Sequence, residues 1–228
     1  MKIAILETGR PPEPLQPRFG RYPAMFEKLL GQGSVAVSYD VTSGHLPGKA
    51  EDHDAYLITG SPAGVYEDLP WIDPLKQFLR VAKGKARLVG VCFGHQIMAE
   101  SFGGRVAKSE AGWAVGLRTY DVIERASWMD DATRIAIPVS HQDQVVEQPP
   151  DSQLLVGCGF DSMAILAYQD QPAISFQCHP EFDPEYAAAL IDFRKQSFRD
   201  PNAAIASLKH PNDNRRVARW IRRFLDAQ

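Results

Sequence analysis

Apolar and polar positions along the chain follow two alternating periods. Residues 2–6 form a short apolar run of strand type, and residues 22–30 carry Met25, Phe26, Leu29 and Leu30 at helical spacing until Gly31 and Gly33 stop the pattern. Strand character returns at 35–39. Residues 55–58 are a brief apolar run halted by Thr59-Gly60-Ser61-Pro62, and residues 71–81 place Trp71, Leu75, Phe78 and Leu79 on one helical face. Residues 87–91 read as a further buried strand, followed over 94–102 by an apolar helix that ends at Gly103-Gly104. Strand and helix alternating in this way predict an α/β fold with a doubly wound, mainly parallel sheet. In such a sheet, functional groups collect at the carboxyl ends of the strands.

From about residue 115 the helical period fades. Short β-type runs at 115–123, 135–139, 154–157, 163–168 and 173–176 predict a small antiparallel extension that feeds back into the main sheet. Helical spacing resumes at 185–193 and at 215–225, the second helix capped by Asn212 or Asp213. That last helix sets Val217, Trp220, Ile221, Phe224 and Leu225 against a face of arginines, the pattern of a docked amphipathic helix with a solvated basic side. The Pro-rich piece at 11–17 reads as a loop beside the first strand. No repeat or linker interrupts the chain, so residues 1–198 are expected to form one domain, with 199–228 a C-terminal helical extension packed on it.

Composition narrows the function classes. A chain of 228 residues with 44% hydrophobic and 23% charged content suffices for one sizeable core. With 25 basic against 28 acidic residues the net charge is −3, so no global positive field exists to hold nucleic acid. An acidic residue, Glu7, arrives before any apolar stretch of signal-peptide length, and no run approaches a membrane span, so a cytoplasmic protein with no membrane partner is expected. Cys92, Cys158 and Cys178 are an odd number with no CxxC pair and no zinc-like grouping with histidine. Neither a disulfide framework, a metal nor a cofactor is expected, and at least one thiol is free.

Local context separates the three thiols. Gly90-Val91-Cys92-Phe93-Gly94-His95-Gln96 sets a cysteine between near glycines where a strand changes to a helix. This is the pattern of a nucleophile elbow, in which a strained turn projects the central side chain and the following helix N-terminus favours a thiolate. Cys158 and Cys178 lack such surroundings and read as buried structural thiols. A thiolate nucleophile needs a base that also protonates the leaving group, and the base needs an orienting partner. Ser175-Phe176-Gln177-Cys178-His179-Pro180-Glu181 ends a predicted strand, and on extended chain His179 and Glu181 face the same side with Pro180 stiffening the link. His141 is a rival base, with Asp143 likewise at i+2. Negative charge that builds on a carbonyl oxygen needs backbone donors; the N–H of Phe93, after the nucleophile, is one candidate.

Gly-Val-Cys-Phe-Gly-His-Gln followed by His-Pro-Glu resembles the class I, or triad, glutamine amidotransferase family, whose fold is flavodoxin-like. The resemblance runs from the first strand to about Phe198. It implies that Cys92 attacks a glutamine side-chain carboxamide, that His179 acts as acid and base, that Glu181 orients His179, and that the thioester is hydrolysed to glutamate after ammonia leaves. It also implies that the loop Thr59-Gly60-Ser61-Pro62 supplies the second oxyanion donor through Ser61, where a second glycine is usual, and that Gly60 beside it contacts the substrate. A serine there fits less well if the loop requires positive φ. Gln96 matches the family's substrate-contacting glutamine. Ser140-His141-Gln142-Asp143-Gln144-Val145 matches a segment whose backbone lies along the bound glutamine, and His95 falls to a packing role.

Residues 65–72 and 112–116 resemble freestanding proteins that look like the amidotransferase half of GMP synthase, a group that includes relatives cleaving γ-glutamyl peptides. About 30 residues follow Phe198, too few for a synthetase domain. Three functions therefore stand: a Cys-His-Glu hydrolase of a γ-glutamyl amide, either glutamine or a γ-glutamyl peptide or conjugate, an ammonia-donating subunit for a separate synthetase, and a noncatalytic binding module on the same fold. Specificity is expected in residues 9–22 and 61–71, the loops that border the mouth of the site.

Overall fold

The computed structural model describes residues 1–31 and 33–227. In chain order, β1 (Ile3–Glu7) leads through α1 (Gln16–Phe19) and α2 (Tyr22–Leu30) to β2 (Val35–Asp40) and β3 (Ala55–Ile58). α3 (Ile72–Ala82), β4 (Arg87–Val91) and α4 (Phe93–Ser101) complete the alternating half. The second half holds β5 (Arg105–Lys108), β6 (Ala114–Val122), β7 (Arg134–His141), β8 (Asp143–Glu147), β9 (Ser152–Gly157), β10 (Ile165–Tyr168) and β11 (Ala173–Phe176). α5 (Pro184–Phe193), α6 (Pro201–Ser207) and α7 (Asn214–Asp226) close the chain.

Nine strands form one sheet in the order β2-β1-β3-β4-β11-β10-β9-β6-β7. The first five are mutually parallel. Their order is the 2-1-3-4-5 order of flavodoxin-like sheets, with β11 in fifth place. The remaining four continue it antiparallel. β5 and β8 pair separately as an antiparallel ribbon beside α4, in a region the sequence pattern leaves as loop.

Period-2 alternation divides the strands between two cores. Ile3, Ile5, Leu57, Val89 and Val91 face α2 and α7, whereas Ala4, Leu6, Tyr56, Ile58 and Leu88 face α3 and α4. A third cluster joins α5 and α6 to the outer surface of β6 through Trp113, Val115 and Leu117. Residues 11–17 are partly helical, containing a 3₁₀ turn and the start of α1. Asp213 precedes α7 but does not cap it with its side chain, because its carboxylate is taken by the Ala136 N–H at 2.9 Å and by Arg216; Asn212 accepts from the Asn214 N–H instead. Among the described residues, no helix is long and apolar enough to cross a membrane.

α7 is integral to the first core. Val217, Trp220 and Ile221 are fully buried, and Trp128 packs edge-on against both Trp220 and Phe224. Truncating Trp220 to alanine is expected to cost about 3–5 kcal/mol of unfolding free energy, read from urea denaturation. A loss below about 1 kcal/mol would show that α7 merely rests on the domain.

Candidate active site

The carboxyl ends of β3, β4 and β11 meet at Cys92. Cys92 has φ 54° and ψ −105°, a left-handed conformation rare outside glycine. Two glycines permit it. A Cβ on Gly94 would lie 2.3 Å from the Ile58 carbonyl oxygen, and one on Gly90 would lie 2.5 Å from that of Gly94. The turn is tied to its neighbours by Cys92 N–H donating to the Phe176 carbonyl at 2.7 Å and Gly94 N–H donating to that of Thr59 at 3.1 Å.

His179 follows β11 and reaches the same point. Its backbone N–H donates to the Pro138 carbonyl at 2.9 Å, and its ring stacks on Phe182 with centroids 3.9 Å apart. Nδ1 lies 2.7 Å from Glu181 Oε1, and the ring borders the same small space as Cys92. Burial opposes protonation of His179, yet the charges of Glu181 and Cys92, with the hydrogen bond to Glu181, outweigh it and raise the imidazole to about 10. Gly60 makes room for the ring, since a Cβ there would stand 3.3 Å from His179 Cε1.

The rival, His141, sits in different company. Its Nδ1 donates to the Asp143 backbone carbonyl at 3.0 Å, while the Asp143 carboxylate accepts from the Tyr66 hydroxyl at 2.9 Å. Its Nε2 faces the buried Asp161 carboxyl at 3.7 Å, whose own pKa burial pushes up to about 7. Burial pushes His141 down to about 3 and His95 likewise to about 3, so both are neutral. His95 bonds Ser175 Oγ at 2.8 Å inside the fold, a packing role. Cys178 is fully buried and its thiol is pushed well up by that burial; Cys158 is only half-buried, less enclosed than its sequence suggests.

The loop after β3 is held from β1. Thr8 donates across to Thr59 through its N–H to Oγ1 at 3.0 Å and through its hydroxyl to the carbonyl oxygen at 2.9 Å, with the Gly60 carbonyl oxygen 3.2 Å from the same hydroxyl. Ser61 does not adopt positive φ, so serine in place of glycine carries no backbone strain here. Its hydroxyl also accepts from the Ala63 N–H at 3.2 Å and closes the turn. Phe93 opens α4, where an N–H has no partner within the helix. Among the described residues, neither its N–H nor that of Ser61 meets an acceptor.

Cys92 opens onto a cavity of about 140 Å³ walled by Ser61, Gln96, Ser140, His141 and Gln142. A chamber of about 20 Å³ adjoins it on the side of Gly60 and His179. Gln96 Nε2 donates to the Asp143 carbonyl at 2.8 Å and to Gln177 Oε1 at 3.1 Å, so it braces the 140–143 segment as well as lining the cavity. Lys108 and Arg194 also line the cavity, and sequence reasoning singled out neither. A larger hollow of about 690 Å³ between α2 and α7 is rimmed by Lys28, Arg215, Arg219 and Arg222 and touches Glu181, but contains no thiol or imidazole. The described residues include no group of three or more His, Cys, Asp or Glu side chains arranged around a metal.

The three buried histidines differ enough to be told apart by NMR titration. His179 is expected to remain protonated at pH 8 and titrate near 10, with His95 and His141 neutral until pH approaches 3. Unfolded histidine titrates near 6.5. The stability contributed by His179 is therefore full below 6.5 and lost as pH rises through about 10, whereas that of His95 and His141 is present above 6.5 and lost as pH falls toward 3. A His179 resonance titrating near 6.5 would show that the Glu181 pair does not hold a proton.

A family model described as glutamine amidotransferase class-I matches residues 28–195. A glutamine amidotransferase-like protein of Schizosaccharomyces pombe is 30% identical, with 98% of each chain covered. Gamma-glutamyl peptidase 4 of Arabidopsis thaliana is 26% identical over 92% of this chain and 89% of the relative. Among solved structures, a glutamine amidotransferase from Thermotoga maritima superimposes with a TM-score of 0.77 at 14% identity, covering 100% of both chains. The match to the family model over most of the chain, together with the sheet order and the full-length relative, shows that this chain belongs to the class-I glutamine amidotransferase family.

Proposed function

We propose that the chain is a cysteine-dependent amidohydrolase that cleaves a small γ-glutamyl amide through a thioester on Cys92. The observation that carries this reading is the line of contacts from Cys92, held at φ 54° in the strand-to-helix turn, to His179 and on to Glu181 at 2.7 Å. Cys92 Sγ attacks the amide carbon, and the oxygen takes up negative charge against the N–H groups of Ser61 and Phe93. Collapse breaks the C–N bond as His179 gives its proton to the departing nitrogen, which leaves as ammonia when the substrate is glutamine. Water then adds to the thioester carbon while His179 removes its proton, and the C–S bond breaks to release glutamate and the thiol. Glu181 keeps the imidazole in the required tautomer and orientation throughout. Gln96, Ser140, His141 and Gln142 form the wall for the glutamyl portion, with Gln96 also acting as a positioning residue through its bonds to Asp143 and Gln177.

The test is glutamate release by the purified chain alone, from glutamine and from a panel of γ-glutamyl compounds. Cys92→Ser is expected to lower kcat/KM by on the order of 10³-fold or more, and Glu181→Gln by roughly 10²-fold or more. A glutamine-analogue electrophile should modify Cys92, mapped by mass spectrometry; modification of Cys158 or Cys178 with Cys92 untouched overturns the assignment. A chain labelled at Cys92 that turns over only after a synthetase is added is instead an ammonia-donating subunit.

A further inference from the structure

The direction of proton transfer fixes where the leaving group must lie. His179 has to reach the departing nitrogen, so that nitrogen lies on the His179 side of Cys92 and whatever it carries extends outward from there. On that side the chamber is bounded by Tyr22, Gly60, Phe182 and Arg194. Ser61, Cys92 and Arg194 line both this chamber and the 140 Å³ cavity, so the two spaces are continuous around the sulfur.

Arg194 follows the last turn of α5 and is half-buried. It forms no salt bridge among the described residues, although its neighbour Lys195 pairs with Asp192. Its charge acts on the hydroxyl of Tyr22, which lines the chamber, and on that of Tyr186 behind it. The nearby carboxylates are already engaged: Glu181 with His179, Glu67 with the Gly64 N–H at 2.7 Å, and Asp143 with Tyr66. Lys108, exposed and lining the 140 Å³ cavity, is likewise without a salt bridge among the described residues. Two uncommitted cations thus border a site that, for glutamine, would have to accommodate a single carboxylate.

Ammonia offers a guanidinium nothing to bind. An amino acid leaving group carries a carboxylate on the carbon next to the departing nitrogen, and the planar fork of arginine matches that carboxylate with two parallel hydrogen bonds. We propose that Arg194 pairs with the carboxylate of an amino-acid leaving group, so that the preferred substrates are γ-glutamyl amides of α-amino acids, with Lys108 taking the α-carboxylate of the glutamyl half. This rests on the thioester chemistry proposed for Cys92, His179 and Glu181.

The test compares γ-glutamylglycine with γ-glutamyl methylamide, which share the glutamyl half and differ in the leaving-group carboxylate. Wild-type kcat/KM is expected to favour γ-glutamylglycine by roughly ten- to a hundredfold, the range given by one charge-assisted pair. The preference should fall to within about twofold in Arg194→Gln and return in part in Arg194→Lys, carried mainly by KM. Equal wild-type rates for the two substrates, or a preference that survives in Arg194→Gln, overturns the assignment to Arg194. The wild-type ratio requires no variant to fold. If neither substrate turns over and the electrophile leaves Cys92 unmodified, it is the Cys92 reading that fails; equal turnover with Cys92 modified removes only the role of Arg194.

Discussion

α4 can begin where it does only because two positions on it and on β4 carry no side chain. Gly94 sits against the Ile58 carbonyl so closely that any Cβ would be 2.3 Å from its oxygen, and Gly90 is equally confined by Gly94 and Met98. That approach draws the carboxyl ends of β3 and β4 under the helix and leaves Cys92 in a left-handed conformation costing on the order of 1–3 kcal/mol. Hydrogen bonds from Cys92 to Phe176 and from Gly94 to Thr59 offset the strain and lock three adjacent parallel strands at one point. The thiol is therefore placed by the packing of backbone on backbone, which side-chain substitutions elsewhere perturb little.

The antiparallel half of the sheet supplies the second group. Beyond β11 the chain no longer pairs with β4, and its course is set by Gln177 N–H donating to Ala164 and His179 N–H donating to Pro138, carbonyls next to β10 and in β7. β6 and β7, in turn, are backed by α5 and α6, and Phe182 presses the His179 ring from one face. Electrostatics then distinguishes the histidines that packing has buried. His95 and His141 hydrogen-bond a hydroxyl and a carbonyl, and the Asp161 carboxyl near His141 is itself pushed toward its neutral form by burial, so both rings are driven neutral, while His179 gains the Glu181 carboxylate and the neighbouring thiol and is driven to the charged form. The same degree of burial gives opposite protonation because the partners differ.

Much of this was legible in the residues. β3, β4, β11 and α2 fall on the ranges their periodicity predicts, since each has glycine, proline or a polar break at its end. The Gly-x-Cys-x-Gly turn could be read because its spacing sets its geometry. The i+2 spacing of His179 and Glu181 is shared by His141 and Asp143, and the first pair meets across a turn, with Phe182 N–H donating to the His179 carbonyl at 3.2 Å, where the sequence predicts extended chain. The β5–β8 ribbon could not be read, as its strands have only four and five residues and neither is apolar on both faces. Nor could the lateral order of the antiparallel strands, in which β9 stands between β10 and β6, because strand pairing is a long-range choice that local pattern does not encode. Thr8 escaped notice since a threonine after a strand has no local signature, and its bonds to Thr59 and Gly60 exist only once β1 and β3 are side by side. Arg194 was hidden in the opposite way: a cation after a helix is ordinarily accounted for by the helix dipole.

Relatives named as amidotransferases and as γ-glutamyl peptidases match this chain over nearly its whole length, so whatever separates their substrates must be local. In the reaction proposed above, the glycine-limited turn, the loop after β3 and the histidine deal only with the amide carbon, its oxygen and its nitrogen, which every γ-glutamyl amide possesses. Discrimination has to act on atoms beyond that nitrogen or on the α-carbon end of the glutamyl group. The side chains that border those two regions come from element ends and connections: Tyr66 and Glu67 in the segment after β3, Lys108 at the end of β5, Trp113 just before β6 and Arg194 beyond α5. These positions can change charge and size without disturbing the contact between α4 and β3. On that reading, the fold keeps one bond-breaking apparatus fixed by backbone packing and leaves the choice of substrate to a few exchangeable side chains at its rim.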